Sequence, residues 1–153
     1  LVADRIPFEV VPGISAALGA AARVGIPLTH RDCASGVTLA TAHAARDDET
    51  DFGGVPREGT VVFYMGLARI DATCRALIAG GRRPETPAAV ISRATLPDER
   101  VVIGTLGDVS ARACDAGLEA PALLIVGDVV ARRVVSPASP ATGRAAKGRL
   151  QAG

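Results

Sequence analysis

A mixed α/β fold, a sheet with helices packed on its faces, is predicted by three features of the 153-residue sequence. Short β-favouring apolar runs alternate with segments whose apolar residues recur at helical spacing. Gly and Pro punctuate nearly every junction between them. Two of the β-favouring runs also lie too close together for a parallel crossover, so the sheet must contain antiparallel pairing. With 48% hydrophobic and 22% charged residues, the chain is of single-domain size and can bury a core.

The elements follow in order. Phe8 to Val11 favours a strand and is stopped by Pro12-Gly13; the Ala-rich stretch from Ile14 to Val24 then has high helix propensity until Gly25 and Pro27 end it. Gly36 to His43 reads as a strand, and the acidic stretch Arg46 to Glu58, with Gly53-Gly54 and Pro56, as a surface loop or short helix. Thr60 to Tyr64 is a β-rich run leading into Met65-Gly66. Leu67, Ile70, Cys74, Leu77 and Ile78 then recur at helical spacing up to Gly80-Gly81. Ala88 to Ser92 and Val101 to Thr105, joined through Leu96-Pro97-Asp98-Glu99, suit an antiparallel hairpin. Leu106 to Ala116 reads as a short helix closed by Gly117, and Ala122 to Val126 as a last buried strand between Pro121 and Gly127. From about Ser136 onward, Pro, Ser, Gly and Ala without apolar periodicity cannot offset the entropy of ordering, so 136–153 is expected to be a disordered tail behind a folded unit of 1–135.

Composition excludes several classes of function. The formal charge of +1 hides an asymmetry: no acidic residue follows Asp128, whereas Arg132, Arg133, Arg144, Lys147 and Arg149 do. A cationic tail can touch nucleic acid, but with no nucleic-acid motif and 3% aromatic residues it is expected to be a solvated tail. No apolar run is long enough to span a membrane. Cys33, Cys74 and Cys114 lack paired spacing, which argues against a disulfide framework or a Cys-rich zinc site and for reduced, cytoplasmic thiols.

The residue types for hydrolysis are equally absent. His30 and His43 are the two histidines, and neither lies in a nucleophile-elbow or metal-ligand spacing. His43 reads as structural, and His30 either as a loop residue that packs or hydrogen-bonds or as one that lies near the substrate. Neither a dinucleotide fingerprint nor a P-loop is present. What remains are two turns at the carboxyl ends of expected strands, Pro12-Gly13-Ile14-Ser15-Ala16 and Tyr64-Met65-Gly66, where open α/β sheets collect ligands. On these residues alone, Met65 is either a core filler or a polarizable wall, and Ser15 either a helix cap or a ligand contact.

The run PFEVVPGISAALGAAARVGIPLTHRD from Pro7 to Asp32 closely resembles a segment of the uroporphyrinogen-III methyltransferases that carries VVPGITSA followed by GIPLTHRD. In the same order, TVVFYMG from Thr60 to Gly66, ATLP from Ala94 to Pro97, Val101 to Leu106, and PALLIVG from Pro121 to Gly127 resemble that family's LVFYMG, NATLP, RVVTGTL and SPALIVVG. The likeness spans about residues 5 to 131. It implies the C-terminal lobe of a two-lobed tetrapyrrole methylase, with S-adenosyl-L-methionine held between the lobes. The implied reaction methylates two pyrrole carbons of uroporphyrinogen III to give precorrin-2, on the way to sirohaem or cobalamin, and the implied assembly is a homodimer. Position by position, Ser15 and Ala16 match a cofactor contact, Met65 a Met at both cofactor and macrocycle, Ala94 a small residue that meets the cofactor through its backbone, and Ala122 a further cofactor contact. The sequence departs from the pattern with Ser15 for Thr, LATAH for VTGH around His43, and Ser92-Arg93 for an acidic-Asn pair. The family's GPGD loop, acid/base pair and GGDP loop have no match, so the expectation is a lobe without its N-terminal partner, inactive alone. A sister precorrin methyltransferase and a non-catalytic dimerisation module are the competing expectations.

Overall fold

The computed structural model describes residues 1–42 and 54–135. Among the described residues three α-helices, α1 (Ala16–Val24), α2 (Ile70–Ala79) and α3 (Val109–Asp115), flank a five-stranded sheet. Its strands are β1 (Val37–Thr41), β2 (Thr60–Tyr64), β3 (Pro87–Ser92), β4 (Arg100–Thr105) and β5 (Ala122–Val126), in the spatial order β1-β2-β5-β3-β4. β1 and β2 are parallel, whereas β2–β5, β5–β3 and β3–β4 are antiparallel. The expected mixed sheet and the β3–β4 hairpin are both present. Because β5 opposes β2 and β3, its amino end lies beside their carboxyl ends: Tyr64 pairs with Leu123, and Ser92 with Ala122.

Side-chain alternation divides the core in two. Val61, Phe63, Val90, Leu124 and Val126 face α2 and α3, where Ile70, Cys74, Leu77, Val109 and Ala113 cover them. Val62, Ala89, Ile91, Leu123 and Ile125 face α1, which meets them with Ala17, Ala20, Ala21 and Val24. An alanine-faced helix has short side chains and can lie close to the sheet. α1 ends at Gly25, whose φ of 72° is the left-handed conformation that glycine tolerates best. A 3-10 segment, Asp128–Arg132, follows β5 without having been expected from sequence. Just beyond it, the Arg133 guanidinium donates to Val24 O (2.9 Å) and the Val134 N–H to Gly25 O (2.8 Å), clasping the end of α1.

Three expectations need correction. Phe8 to Val11 forms no strand; Phe8, Val10 and Val11 are 57%, 79% and 78% exposed, and no described strand pairs with them. β-propensity measures fit to a half-buried pleated surface, so without a ladder partner it produces no strand. The expected helix from Leu106 begins only at Val109. Leu106 and Gly107 instead form a turn bonded back to Thr86 and Pro84, and the Asp108 carboxylate accepts from the Thr105 N–H (2.6 Å). The expected helix from Leu67 opens as a 3-10 turn over Leu67–Arg69. His43 and the tail 136–153 lie outside the described residues, as does most of the loop 46–58.

At the amino end of β2, the buried Arg82 holds the chain between Pro56 and Gly59. Its guanidinium donates to the carbonyls of Pro56, Glu58 and Gly59. Burial lowers its pKa from the ordinary guanidinium range, against the opposing field of Asp128. His30 behaves as the loop residue expected: its N–H donates to Ala34 O (2.9 Å), and its Nδ1 accepts from the Asp32 N–H (3.2 Å).

Candidate functional site

The carboxyl ends of β2 and β3, the amino end of β5 and the amino end of α1 enclose a groove of about 630 Å³. This is the pole of an open α/β sheet where ligands gather. Ala16, Met65, Ala94 and Ala122 all line it. Four residues drawn from four separate stretches of sequence therefore converge on one surface. Ser15, the fifth, reaches the groove indirectly through a hydrogen bond between its Oγ and the Oη of Tyr64, which is itself a wall residue.

Each position has a local cause. Ser15 occupies the N-cap of α1 with extended backbone (ψ 141°), yet its hydroxyl makes no cap bond. That hydroxyl is committed to Tyr64, and the first-turn N–H groups of α1 are left without a side-chain cap. Met65 follows β2 at φ 53° and is 61% exposed, which excludes the core-filler alternative. Arg93 and Thr95, at φ 52° and 68°, flank Ala94 in the same left-handed region. Such conformations cost a non-glycine residue about 1–2 kcal/mol each and collect where a structure fixes a functional surface. Here Met65 lines the groove, and the other two flank Ala94, which lines it as well.

The lining is almost wholly apolar: Tyr64 offers the single side-chain hydroxyl, and no charged side chain takes part. Small residues at Ala16, Ala94 and Ala122 let a ligand approach the backbone, while the Tyr64 ring and the Met65 thioether supply flat, polarizable walls. The groove offers a largely apolar or aromatic ligand an apolar surface to pack against. Among the lining residues there is no acid or base to move a proton. Among the described residues no cluster of three or more His, Cys, Asp or Glu could bind a metal, and no helix is long and apolar enough to cross a membrane. Two further cavities, of about 390 and 540 Å³, lie at the opposite end of β2 with polar walls that include Arg57, Glu58 and Asp32. None of the five candidate residues borders them.

Residues 1–110 match the family of tetrapyrrole (corrin/porphyrin) methylases. The chain belongs to that family. The siroheme synthase of Gluconacetobacter diazotrophicus is 49% identical to this methylase chain over 140 residues, covering 90% of the chain and 30% of the relative. That of Thiobacillus denitrificans is 46% identical over 135 residues, covering 87% and 28%. The chain thus spans about three-tenths of the length of these curated relatives. Among solved structures, uroporphyrin III C-methyltransferase from Thermus thermophilus superposes with a TM-score of 0.73 at 32% identity, over 86% of this chain and 57% of that one. Its complex with S-adenosyl homocysteine gives 0.71 over the same shares. A cobalt precorrin-4 methyltransferase gives 0.68 at 25% identity, over 80% and 52%. The expected fold, a tetrapyrrole methylase lobe built on a mixed sheet, is therefore the observed one.

Sequence reasoning placed Tyr64 in a ligand-facing turn without singling out its side chain as a wall of the groove, and missed Pro121. Tyr64 was visible in principle, since alternation along β2 puts it on the same face as Val62, toward α1. Nothing local marks Pro121. It borders the groove because the β5–β3 register sets Ala122 opposite Ser92.

Proposed function

We propose that this methylase chain forms one wall of the S-adenosyl-L-methionine site of a uroporphyrinogen-III C-methyltransferase. The observation that carries the proposal is the convergence of Ala16, Met65, Ala94 and Ala122 on a single apolar groove, with Ser15 bonded into it through Tyr64. The groove fits such a ligand: it offers flat walls for an adenine, small residues for close backbone approach, and no cation to repel a sulfonium. The Thermus structure with S-adenosyl homocysteine and the siroheme synthase relatives support the same cofactor and macrocycle.

When bound, S-adenosyl-L-methionine supplies a methyl group on a good leaving group for in-line displacement by a macrocycle carbon. The chain's own residues contribute alignment and dryness. The fixed left-handed turns at Met65 and at Arg93 to Thr95 set the groove's outline, so a ligand meets a preorganised surface. The apolar walls exclude water from the transfer. No residue lining the groove is placed to take up a proton, so turnover is proposed to require chain beyond these residues, and the whole enzyme is proposed to be a homodimer. The lower identity to the cobalt precorrin-4 enzyme, 25% against 32%, favours uroporphyrinogen III over a later macrocycle.

The test is titration of the 153-residue chain with S-adenosyl homocysteine by calorimetry, alongside Ala16→Leu and Ala94→Leu. Weak saturable binding that both variants abolish without loss of folding is the expected result. No binding, or binding indifferent to both variants, sinks the assignment of the groove. Methylation of uroporphyrinogen III by the chain alone overturns the one-wall reading.

A further inference from the structure

Glu99 lies in the connection between β3 and β4, beside Leu96, Pro97 and Asp98, all of them exposed, yet it is only 8% exposed itself. Burying a carboxylate is costly unless it is paired and hydrogen-bonded. Its Oε2 accepts from the Thr95 N–H at 2.8 Å and from Arg23 Nε at 3.3 Å. Those two donors lie on two different elements that each send a residue into the groove, Ala94 from the turn and Ala16 from α1. Thr95 is the left-handed, β-branched residue immediately after Ala94. Arg23 projects from the last turn of α1, whose first turn carries Ala16 and whose N-cap is Ser15.

We infer that Glu99 is a positioning residue for the groove, its one carboxylate oxygen tying the turn that carries Ala94 to the helix that carries Ala16. A β-branched residue at φ 68° is disfavoured and persists only where its surroundings over-determine it. The backbone supplies part of that restraint: the Arg93 N–H donates to Pro121 O (2.8 Å), and the Leu96 N–H to Arg93 O (3.0 Å). Arg93 is further held by Asp98 (2.6 Å) and Glu119 (3.9 Å). Those contacts fix the turn to itself and to the approach to β5. Glu99 joins the turn to α1 through Arg23 and sets the spacing between Ala16 and Ala94.

The inference rests on the proposed use of the groove, so its test carries one readout that needs no ligand. In the 153-residue chain, Glu99→Ala is expected to speed amide exchange at Thr95 by about tenfold, one lost hydrogen bond in a partly buried site. Backbone resonances at Ser15 and Ala16 are expected to shift although neither residue touches Glu99. S-adenosyl homocysteine affinity is expected to fall by about tenfold, with Glu99→Gln, which keeps an acceptor oxygen, recovering part of it. Arg23→Ala is expected to move Ser15 and Ala16 likewise, and the double variant Arg23→Ala/Glu99→Ala to lose little more than either alone. Asp71→Ala, which removes the exposed ion pair with Arg75 on α2 on the other face of the sheet, serves as the control and should leave ligand affinity near that of the unmodified chain. If Glu99→Ala does not fold, Glu99→Gln and Arg23→Ala carry the same comparison.

Unchanged Thr95 exchange, or unmoved Ser15 and Ala16, overturns the tie whatever the ligand does. Ligand affinity unaffected by Glu99→Ala, in a chain that otherwise binds, overturns its positioning role and leaves the groove assignment standing. A chain that binds no ligand at all, yet shows the exchange and resonance effects, refutes the groove's assignment while the tie stands.

Discussion

The Ser15 hydroxyl and the Tyr64 phenol share a hydrogen bond that joins the start of α1 to the end of β2 across the groove. The two residues are 49 positions apart, so this contact reports the docking of the helix on the sheet. Because Ser15 makes no cap bond, its removal should register through Tyr64 and not through helix fraying. Ser15→Ala and Tyr64→Phe should each cost about 0.5–1.5 kcal/mol, and the double variant should cost markedly less than their sum. Additive losses in urea denaturation would mean that the two hydroxyls do not act on each other.

Gly25 is the least replaceable glycine in the α1 region. A Cβ there would stand 1.9 Å from Val134 O, on a backbone already at φ 72°. Flexible side chains cannot relieve the clash, because the obstacle is main chain. Gly25→Ala should destabilise the chain by more than about 2 kcal/mol, combining the left-handed penalty with displacement of the Val134 clasp. Gly13→Ala is the internal control, since a Cβ there meets nothing within 4 Å. Equal melting temperatures for the two variants would contradict the clasp.

Much of the fold was legible because its strands carry their own boundaries. The runs Thr60 to Tyr64 and Ala122 to Val126 are apolar, β-rich and fenced by Gly or Pro, and both match β2 and β5 residue for residue. Phe8 to Val11 has the same local chemistry but no ladder partner, and partners are not a local property. The start of α3 depended on Asp108 turning its carboxylate to the Thr105 N–H, a choice that helix periodicity does not record. In the site, Ala16, Met65, Ala94 and Ala122 were reachable through family resemblance and small-residue turns. Glu99 was not, because within Leu96-Pro97-Asp98-Glu99 it looks like any other turn carboxylate. Its burial exists only once Arg23 has been brought to it.

The three thiols should separate by accessibility. Cys114 is exposed and Cys33 partly so, whereas Cys74 is buried on the sheet-facing side of α2. Burial, reinforced by the Asp71 charge, pushes the Cys74 pKa up from 9.0 to about 11. Native chain should therefore take up two equivalents of a thiol reagent at neutral pH and the third only on unfolding. The pH consequence has a definite sign. A thiol whose folded pKa is raised holds its proton more tightly when folded, so its contribution is complete below pH 9 and is lost as pH rises toward about 11. Cys74→Ala should lower stability at neutral pH through the cavity it leaves, yet fall less steeply than the unmodified chain between those two values. Parallel stability curves would remove Cys74 as the cause.

Met65 offers the sharpest separation of fold from function. It is 61% exposed, sits at φ 53° and lines the groove, so its side chain contributes little to the core while its backbone carries a left-handed penalty. Met65→Leu preserves volume and backbone preference, and stability should change by less than about 1 kcal/mol. The thioether is what it removes. If Met65 packs against an adenosyl group, S-adenosyl homocysteine affinity should fall by roughly threefold to tenfold, the range of a lost sulfur–aromatic contact. Met65→Gly carries the contrast further. Glycine accepts φ 53° without the Cβ penalty, and this relief offsets the conformational entropy the unfolded chain gains, so this variant should fold about as stably as the parent. It should also bind ligand more weakly than Met65→Leu, because the whole wall is gone. Calorimetric titration and thermal melts on the two variants together decide the matter. Affinity that tracks melting temperature would make Met65 a structural residue, whereas affinity that drops as stability holds places its side chain against the ligand.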